Sequence, residues 1–369
     1  MTSNSLRILF FGSDKFSVYS LQKLYNLHQR NANLIESLQV VSRPAKWGGK
    51  KRTILRIPQL IQDMSRFETL PEPLLCDNKN ELVDKLLPLI QRQHINMLIC
   101  VSFGLLIPND LIENVPYTLN LHPSLLPRYM GSAPIQYVLL NNDKFTGITV
   151  QSLHPTKFDK GQIIAQSDEL EVSKLLKKDE QINDSTPVYF SRLTNKLGQL
   201  GAKLLGDVIT NKSYLKPLAD NELRKYKPSL APRIQTIDKM IQWGQEDASQ
   251  IYRRLMTLGP LYTFIKCGYN EKTGKKISKR VILHSFTVKE DVSKQPHMKS
   301  GSFQFSGDNN GQLTVSCGNE TAIDIKTIQI AGSKVVNPSQ FFSIWQKQFP
   351  SNKTINSTQP SAEFQFYCE

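Results

Sequence analysis

Three polar side chains are of the types that acyl transfer uses: Asn120, His122 and Asp159. The first two are separated by one residue in a segment that predicts a strand, so their side chains point to the same face and can address one ligand. Asp159 lies in a turn between two apolar runs, 150–153 and 163–164, and this turn can bring its carboxylate back to His122. An amide that stabilises an oxyanion, an imidazole that moves a proton and a carboxylate that orients the imidazole together suit acyl transfer.

Each of these residues also has a structural explanation when it is taken singly. A lone histidine is usually a satisfied structural side chain, and an aspartate in a turn usually caps backbone amides. His154, five residues before Asp159, is an alternative base. The prediction of chemistry therefore rests on the three residues acting as one set.

The elements that must position this set alternate between apolar runs and segments of helical periodicity. The strands are predicted at 6–11, 38–41, 73–76, 97–101, 117–121 and 147–153, and the helices at 16–27, 57–64, 81–87, 135–141 and 188–209. This alternation predicts an α/β unit, a Rossmann-like and mostly parallel sheet with helices on both faces. Because ligands bind at the carboxyl ends of such strands, Gly12-Ser13 and Ser102-Phe103-Gly104 are candidate pocket walls.

The composition of the chain changes after the last of these helices. We expect a catalytic domain at 1–210, a linker rich in proline and charge at 211–233, a smaller domain at 234–350 and a polar tail at 351–369. In the smaller domain, a helix predicted at 248–258 is followed by short β-rich runs at 280–288, 311–317 and 322–330. Gly, Asn and Asp turns separate these runs, which predict an OB-like β-barrel.

Composition excludes several classes of protein. The 369 residues are 39% hydrophobic, but no apolar stretch approaches the ~20 residues that span a bilayer, so no membrane is expected as a partner. The 5 cysteines are an odd number without a CxxC pair, which indicates neither a disulfide framework nor a metal site. The first apolar run, 6–11, is too short for a secretory signal and is predicted to be a strand.

Positive charge is concentrated in two parts of the chain. The net charge is +14, and the stretch between Glu36 and Asp63 holds six basic residues and no acidic one. Residues 221–300 hold 16 Lys and Arg against 7 Asp and Glu, a surplus of +9. Such clusters attract nucleic-acid phosphates, although a solvated surface is the alternative for each.

The motifs around the three polar residues resemble a known signature. Asn120–Pro127 (NLHPSLLP), Gly131, 146–150 (TGITV) and 158–161 (FDKG) are similar, in order and spacing, to the signature of enzymes that take a formyl group from 10-formyltetrahydrofolate. Within that superfamily the chain resembles the methionyl-tRNA formyltransferase family, in a fungal mitochondrial form. This resemblance rests on 133–136 (APIQ), the Arg43-Pro44-Ala45 loop with 48–51 (GGKK), 102–108, 226–228, 241–243 and 258–260, and so covers most of the chain.

The resemblance implies a function and a set of site residues. Asn120, His122 and Asp159 correspond to the catalytic residues, and 10-formyltetrahydrofolate is the formyl donor, with no metal. The folate-contacting residues are Ser124, Leu125, Leu126 and Pro127, to which we add the pocket wall of Ser102, Phe103 and Gly104. The implied partner is the initiator methionyl-tRNA, and we expect a monomer.

The resemblance also gives the two basic clusters a role in tRNA binding. The residues that we assign to tRNA are Arg43, Lys46, Trp47, Lys50, Lys51 and Arg52 in the first domain, and Lys275, Lys276, Lys279 and Arg280, with Lys272 beside them, in the second. Trp47 stands where the family commonly has a shorter Gly-Arg pattern, and its ring is available to stack on a base.

Three alternatives follow from the same motifs. An enzyme acting on a purine-precursor amine shares NxHPSLLP but usually ends near residue 210, and a sugar-nucleotide formyltransferase has Asn-Trp where this chain has Ile135-Gln136. A non-catalytic RNA-binding relative would have lost members of the catalytic set. Formylated initiation belongs to bacteria and to organelles of bacterial descent, and the Asn-, Lys- and Gln-rich composition favours a mitochondrial matrix location over a bacterial cytoplasm.

Overall fold

The computed structural model describes residues 5–48, 54–178, 187–219, 226–269, 276–289, 298–306, 311–348 and 365–367. The chain divides into two compact units, one formed by Met1–Asn183 with Ser191–Arg233 and the other by Asp184–Phe190 with Ile234–Glu369. Within the described ranges, no helix has the length and apolar character that crossing a membrane requires.

The first unit contains most of the helices and an α/β sheet. Its strands are β1 (Leu6–Gly12), β2 (Ile35–Ser42), β3 (Lys46–Gly48), β4 (Ile54–Arg56), β5 (Leu74–Leu75), β6 (Met97–Val101), β7 (Tyr117–His122), β8 (Phe145–Thr146), β9 (Thr149–Gln151), β10 (Ile163–Gln166) and β11 (Leu170–Glu171). Its helices are α1 (Lys15–Arg30), α2 (Gln59–Gln62), α3 (Lys79–Arg92), α4 (Asn109–Ile112), α5 (Pro134–Leu140), α6 (Val172–Leu175) and α7 (Val188–Thr210), the last of which begins in the segment assigned to the second unit. Short 3-10 turns lie at Met64–Arg66 and Ser213–Leu215.

Seven strands form the main sheet in the order β10-β9-β7-β6-β1-β2-β5. Strands β7, β6, β1, β2 and β5 are parallel to one another, while β9 runs antiparallel to both of its neighbours, β7 and the edge strand β10. The two central strands, β1 and β6, are almost continuously apolar and buried because a parallel sheet is covered on both faces. The predicted mostly parallel α/β sheet is confirmed.

The pairing of β7 with the antiparallel strand β9 determines which side chains lie opposite the end of β7. Asn120 pairs with Gln151, and His122 pairs with Thr149, across the β7–β9 ladder. Directly opposite residues lie on the same face of an antiparallel pair. The ladder therefore sets a second polar amide beside Asn120.

The basic segment that follows β2 has more structure than the sequence predicts. Strands β3 and β4 form a two-stranded antiparallel hairpin in which Lys46 pairs with Arg56 and Trp47 with Leu55. Each strand is three residues long and, among the described residues, pairs only with the other strand. Such short strands have too few residues to show the alternation that identifies a strand.

The second unit is a curled antiparallel half-barrel, in agreement with the predicted small β domain. Its elements are α8 (Ala248–Leu258), β12 (Leu261–Tyr269), β13 (Lys276–Val288), β14 (Phe303–Ser306), β15 (Gln312–Ser316), β16 (Ala322–Ile330), α9 (Pro338–Gln348) and β17 (Phe366–Tyr367), with a 3-10 turn at Ile237–Lys239. The six strands follow the order β14-β15-β16-β13-β12-β17. Register shifts on β13 near Ser285 mark bulges, which bend a strand.

The far end of the predicted polar tail belongs to this sheet. Phe366 and Tyr367 pair with Ile265 and Phe264 of β12, and Phe366 is fully buried. Its ring stacks near Trp243 at a centroid distance of 6.0 Å. The apolar residues at the end of the chain thus complete an edge of the half-barrel.

Candidate active site

The structure brings the three predicted catalytic side chains together at the end of β7. His122 Nδ1 lies 3.3 Å from Asp159 Oδ1, and Asn120 Nδ2 donates to the same oxygen at 3.4 Å. The side chains of His122 and Asp159 are 6% and 7% exposed. Two nitrogens from one strand therefore converge on one carboxylate oxygen in a nearly dry environment.

The ring of His122 faces an oxygen at both of its nitrogens. Nε2 is 2.9 Å from the carbonyl oxygen of Tyr129, while Nδ1 faces the Asp159 carboxylate. A carbonyl and a carboxylate both accept hydrogen bonds, so this arrangement is fully satisfied when both nitrogens carry a proton. Each ring nitrogen of His122 therefore has an acceptor to which it can donate.

The carboxylate of Asp159 receives donors on both oxygens. Gly131 N donates to Oδ2 at 2.8 Å, and Gln151 Nε2 donates to Oδ1 at 3.1 Å, in addition to the contact from Asn120. Asp159 itself has a φ of 53°, in the left-handed region. A residue other than glycine holds this conformation only when its surroundings compensate for the strain, as these hydrogen bonds do.

The loop after His122 is held by a later part of the chain that we call the strap, residues 229–231. Ser229 N donates to Pro127 O, and the hydroxyl and carbonyl of Ser229 accept from Tyr129 N and Met130 N at 2.9 Å each. Ala231 N donates to Met130 O at 2.7 Å, and Ala231 O accepts from the loop at Ala133 N. These bonds fix the Tyr129 carbonyl and the Gly131 amide that contact the catalytic set.

Gly131 has no space for a side chain. Its φ is +124°, and a Cβ at this position would lie 2.6 Å from Ala231 O in the strap. Both the positive φ and the close approach of the strap require glycine. No other residue could therefore hold its backbone amide in this position against Asp159.

The strap begins within the segment 211–233 that the sequence predicts as a linker. In the structure, Ser191–Arg233 is assigned to the first unit. The hydroxyl of Tyr226, just before the strap, donates a hydrogen bond to Glu169 Oε1 at 2.9 Å. The segment thus contributes contacts to the first unit, and its role as a linker stays a prediction.

The residues assigned to folate lie on the same loop and are largely buried. Ser124, Leu125 and Leu126 are 1–2% exposed, and Pro127 is half-buried. The Ser124 hydroxyl donates to Arg128 O at 2.6 Å, and its carbonyl accepts from Thr149. These contacts hold the loop in shape, and folate contact by these residues stays a prediction.

The second predicted pocket wall follows β6. Ser102 and Gly104 both have positive φ values, 49° and 81°, and both are exposed, whereas Phe103 is buried with its ring edge-on to Phe11. The Phe103 side chain belongs to the core, so its backbone and its two neighbours form the wall.

The residues assigned to tRNA in the first unit occupy the hairpin and its base. Arg43 and Lys46 contact Asp77 Oδ1 at 2.6 and 2.7 Å, and hydrogen bonds from Lys46 and then from Arg43 hold the pKa of Asp77 below its usual range. The Trp47 side chain is 60% exposed, opposite Leu55, which is 43% exposed. Three further residues with this assignment, Lys50, Lys51 and Arg52, lie outside the described residues.

In the second unit, the assigned residues that are described lie on β13. The guanidinium of Arg280 is exposed and stacks over Tyr262 at 4.2 Å and near Phe264 at 5.7 Å. Lys276 and Lys279 precede it on the strand, while Lys272 and Lys275 lie outside the described residues.

Two other titratable groups near the set have different roles. His154 Nδ1 accepts from the amides of Thr156 and Lys157 at 3.1 and 3.2 Å, which makes it a turn-capping group. Burial raises the pKa of the Cys100 thiol to about 12, so it is not an ionised nucleophile at neutral pH. Within the described ranges, no three His, Cys, Asp or Glu side chains are grouped as a metal site requires.

The sequence does not identify three of the groups that surround Asp159 and His122. Two are backbone atoms, Tyr129 O and Gly131 N, for which residue type carries little signal. The third, Gln151, is opposite Asn120 in the β7–β9 ladder. The signal that the sequence offers is a glutamine within a predicted strand. It points to the site only when the pairing of β7 with β9 is known.

Two family models match the chain along most of its length. The model described as formyl transferase matches residues 6–186, and the model described as formyl transferase, C-terminal domain, matches residues 233–345. The three converging side chains lie in the first match.

Several curated relatives are similar to this chain in sequence over most of its length. A mitochondrial methionyl-tRNA formyltransferase of Saccharomyces cerevisiae is 39% identical over 364 residues, covering 93% of this chain and 90% of the relative. The methionyl-tRNA formyltransferase of Bacillus velezensis is 28% identical, covering 91% of this chain and 93% of the relative. A mitochondrial form from Homo sapiens is 28% identical over 70% of this chain and 59% of the relative.

Solved structures share the fold at low identity. HypX from Aquifex aeolicus in complex with tetrahydrofolic acid has a TM-score of 0.52 and 13% identity, covering 93% of this chain and 48% of that one. An N-formyltransferase from Helicobacter canadensis has a TM-score of 0.52 and 14% identity, covering 87% of this chain and 98% of that one.

Proposed function

The chain belongs to the methionyl-tRNA formyltransferase family, and on this premise we propose that Asn120, His122 and Asp159 carry out its formyl transfer. The enzyme takes the formyl group from 10-formyltetrahydrofolate and places it on the amine of methionine on the initiator methionyl-tRNA. The observation that carries the proposed roles is the convergence of Asn120 Nδ2 and His122 Nδ1 on one oxygen of Asp159.

Asn120 and His122 form the oxyanion site in this proposal. When the amine attacks the formyl carbon, negative charge develops on the formyl oxygen, and donors already aimed at one oxygen position can receive it without reorganisation. The contacts of both nitrogens with Asp159 Oδ1, at 3.3 and 3.4 Å, are longer than an ordinary hydrogen bond. They are therefore replaced at little cost by a shorter contact with the substrate.

Asp159 and His122 carry the proton that the reaction must move. The methionine amine attacks in its deprotonated form; a bond from its nitrogen to the formyl carbon forms, and the bond from that carbon to the folate nitrogen breaks. The amine nitrogen loses one proton and the departing folate nitrogen gains one. His122, oriented by Tyr129 O and Asp159, is placed to mediate this transfer.

The loop at Ser124–Pro127 and the wall at Ser102–Gly104 are the proposed folate contacts. Both follow the ends of parallel strands, where ligands of α/β proteins bind. Apart from Gly104 and its two neighbours, no atom of the described residues lies within 4 Å of the place where a Cβ would be, so the wall is open at that point. Open backbone at a strand end suits contact with a flat heterocycle.

The β3–β4 hairpin and the basic strand β13 are the proposed tRNA contacts. Lys46 and Arg56 face each other at the base of the hairpin, and Trp47 with Leu55 forms an exposed apolar pair. Cations meet phosphates, while an exposed ring stacks on unpaired bases. We propose that Arg280, supported by the rings of Tyr262 and Phe264, contacts the tRNA backbone.

Replacing Trp47 with alanine is expected to raise the KM for methionyl-tRNA by about tenfold, since stacking on a base contributes ~1–3 kcal/mol. The KM for the folate and kcat are expected to change by less than about twofold, because Trp47 is assigned to the tRNA alone. Steady-state kinetics at fixed, moderate salt measure the three constants.

Phe145→Ala is the control, because Phe145 is also an exposed aromatic residue, 41% accessible, on β8. An unchanged KM for tRNA in the Trp47→Ala enzyme would remove the hairpin from the interface. Replacing Lys50, Lys51 and Arg52 together with Gln tests the charged part of the same segment.

The enzyme is mitochondrial, as are the Saccharomyces cerevisiae and Homo sapiens relatives by name. We place it in the matrix because organelle translation that begins with formylated methionine takes place there. We also propose that it acts as a monomer, with no membrane partner.

The experiment that tests the activity combines the purified chain with charged initiator tRNA and 10-formyltetrahydrofolate. The expected product is formylmethionyl-tRNA, identified by the mass of the released formylmethionine. Formylation of a purine-precursor amine or an amino sugar nucleotide in its place would overturn the substrate assignment. Binding of tRNA without any product would indicate a non-catalytic relative.

A further inference from the structure

The side-chain amide of Gln151 is buried and directed at Asp159. The residue is 1% exposed, its Nε2 donates to Asp159 Oδ1 at 3.1 Å, and its Oε1 has no hydrogen-bond partner within the described ranges. We propose that Gln151 is a positioning residue for formyl transfer, holding the Asp159 carboxylate in place while Asn120 and His122 contact the substrate. The inference rests on the catalytic roles proposed above.

Strand pairing explains how Gln151 reaches this position. It stands directly opposite Asn120 in the β7–β9 ladder, so the two amides project side by side. Both direct an NH2 group at Asp159 Oδ1. The reverse orientation of the Gln151 amide would set Oε1 against a carboxylate oxygen, with two acceptors in contact, so the chemistry fixes which end faces Asp159.

The need for Gln151 arises when the other donors leave. If Asn120 and His122 turn to the formyl oxygen, two of the contacts to Oδ1 weaken. Gly131 N then remains on Oδ2 and Gln151 Nε2 on Oδ1, one donor for each oxygen. A carboxylate held at both oxygens cannot rotate about its Cβ–Cγ bond, so it keeps its orientation toward the imidazole.

The stability of the fold does not explain the oxygen end of this amide. A buried acceptor without a partner destabilises a protein, whereas an apolar side chain of similar length has no such penalty. Methionine has nearly the length of glutamine and would fill the same space. The polar end of Gln151 is therefore retained for its contact with Asp159.

Gln151→Met tests the proposal through a separation of effects. We expect kcat to fall about tenfold, the size of a lost hydrogen bond to a charged group, with the KM values for tRNA and folate within about twofold. The melting temperature is expected to change by no more than a few degrees, because the variant loses the hydrogen bond to Asp159 but also removes the unpartnered Oε1. An unchanged kcat, or a fall in kcat that a smaller fraction of folded protein accounts for, would overturn the positioning role.

Gln151→Glu is a second variant of equal length that replaces the donor by an acceptor. In the part of the chain that the structure describes, the titratable groups that face Asp159 are His122 and Cys100, and this variant keeps both residues. At neutral pH two carboxylates repel each other, and as the pH is lowered one of them takes up a proton and becomes a donor again. The ratio of its kcat to that of the wild type should therefore rise with acidity; a flat ratio contradicts the proposal.

Gln39→Met is the matched control for both variants. Gln39 is a half-buried glutamine on β2 whose Nε2 donates to Gln93 at 2.7 Å, away from Asp159. Its kcat should equal that of the wild type. Failure of the wild-type enzyme to form any product would count against the activity itself, whereas an active Gln151→Met enzyme would count only against this inference.

Discussion

Replacing His122 with alanine is expected to lower kcat by at least about 10³-fold. In the proposed mechanism the change removes a donor to the developing oxyanion and the group that moves the proton, and each such loss typically costs about 10²-fold or more. Binding of tRNA should remain within about twofold of the wild type, because His122 is buried at the end of β7 and distant in sequence from the hairpin assigned to tRNA. Single-turnover kinetics and filter binding measure the two quantities separately.

His154→Ala is the natural comparison, because His154 is the alternative base in the same region. Its Nδ1 is engaged with the amides of Thr156 and Lys157, so the substitution loosens a turn without removing a reacting group. We expect a loss of less than about fivefold in kcat. If His154→Ala abolished turnover and His122→Ala did not, the roles assigned to the two histidines would have to be exchanged.

Replacing Asp159 with asparagine is expected to lower kcat by about 10³-fold with little change in either KM. The carboxylate accepts from Asn120, Gln151 and Gly131 and faces the imidazole. An amide of the same shape loses the negative charge that stabilises an imidazolium, and it turns an NH2 group toward one of these donors. Orientation and proton transfer are lost together, while the binding surfaces remain.

Asp207→Asn separates this effect from the loss of one negative charge. Asp207 is exposed on α7, and its replacement leaves the contacts at the end of β7 intact. Pre-steady-state formylation at saturating substrates gives the rate of the chemical step in both variants. Equal rates in the two enzymes would show that Asp159 has no part in the reaction.

The central elements of the fold follow from local patterns in the sequence. The run MLICV is predicted as the strand at 97–101 and forms β6 with these bounds. A short, continuous apolar run between turn signals is typical of a strand that is buried on both faces. The helix at 248–258 is likewise found as α8, opened by an Asp247–Gln250 capping box. An element can be predicted from the sequence where its apolar pattern or its capping residues are local signals.

Other elements depend on partners that are distant along the chain. Strand β12 and helix α9 are not predicted, and β17 stands in a segment predicted to be a polar tail. The two residues of β17 are a strand because β12 offers them an edge. Such pairings are decided by tertiary packing, which local propensity does not encode.

The same distinction applies to the site. Asn120 and His122 can be grouped from their spacing, and Asp159 from the turn that precedes β10, because each inference uses neighbours in sequence. Gln151 requires the register of β7 against β9 to be known. The backbone groups of Tyr129 and Gly131 require the path of the loop, which in turn depends on residues about 100 positions later.

The bonds between the strap and the loop after His122 restrict where this gene can be divided. A fragment that stops at Thr210, the last residue of α7, lacks Ser229 and Ala231, which hold the Tyr129 carbonyl and the Gly131 amide against the catalytic side chains. Recombination that exchanges the second unit between relatives keeps an intact reaction centre only if the crossover lies beyond Ala231. The strap, which lies just before the main segment of the second unit in sequence, thus supports the site of the first unit.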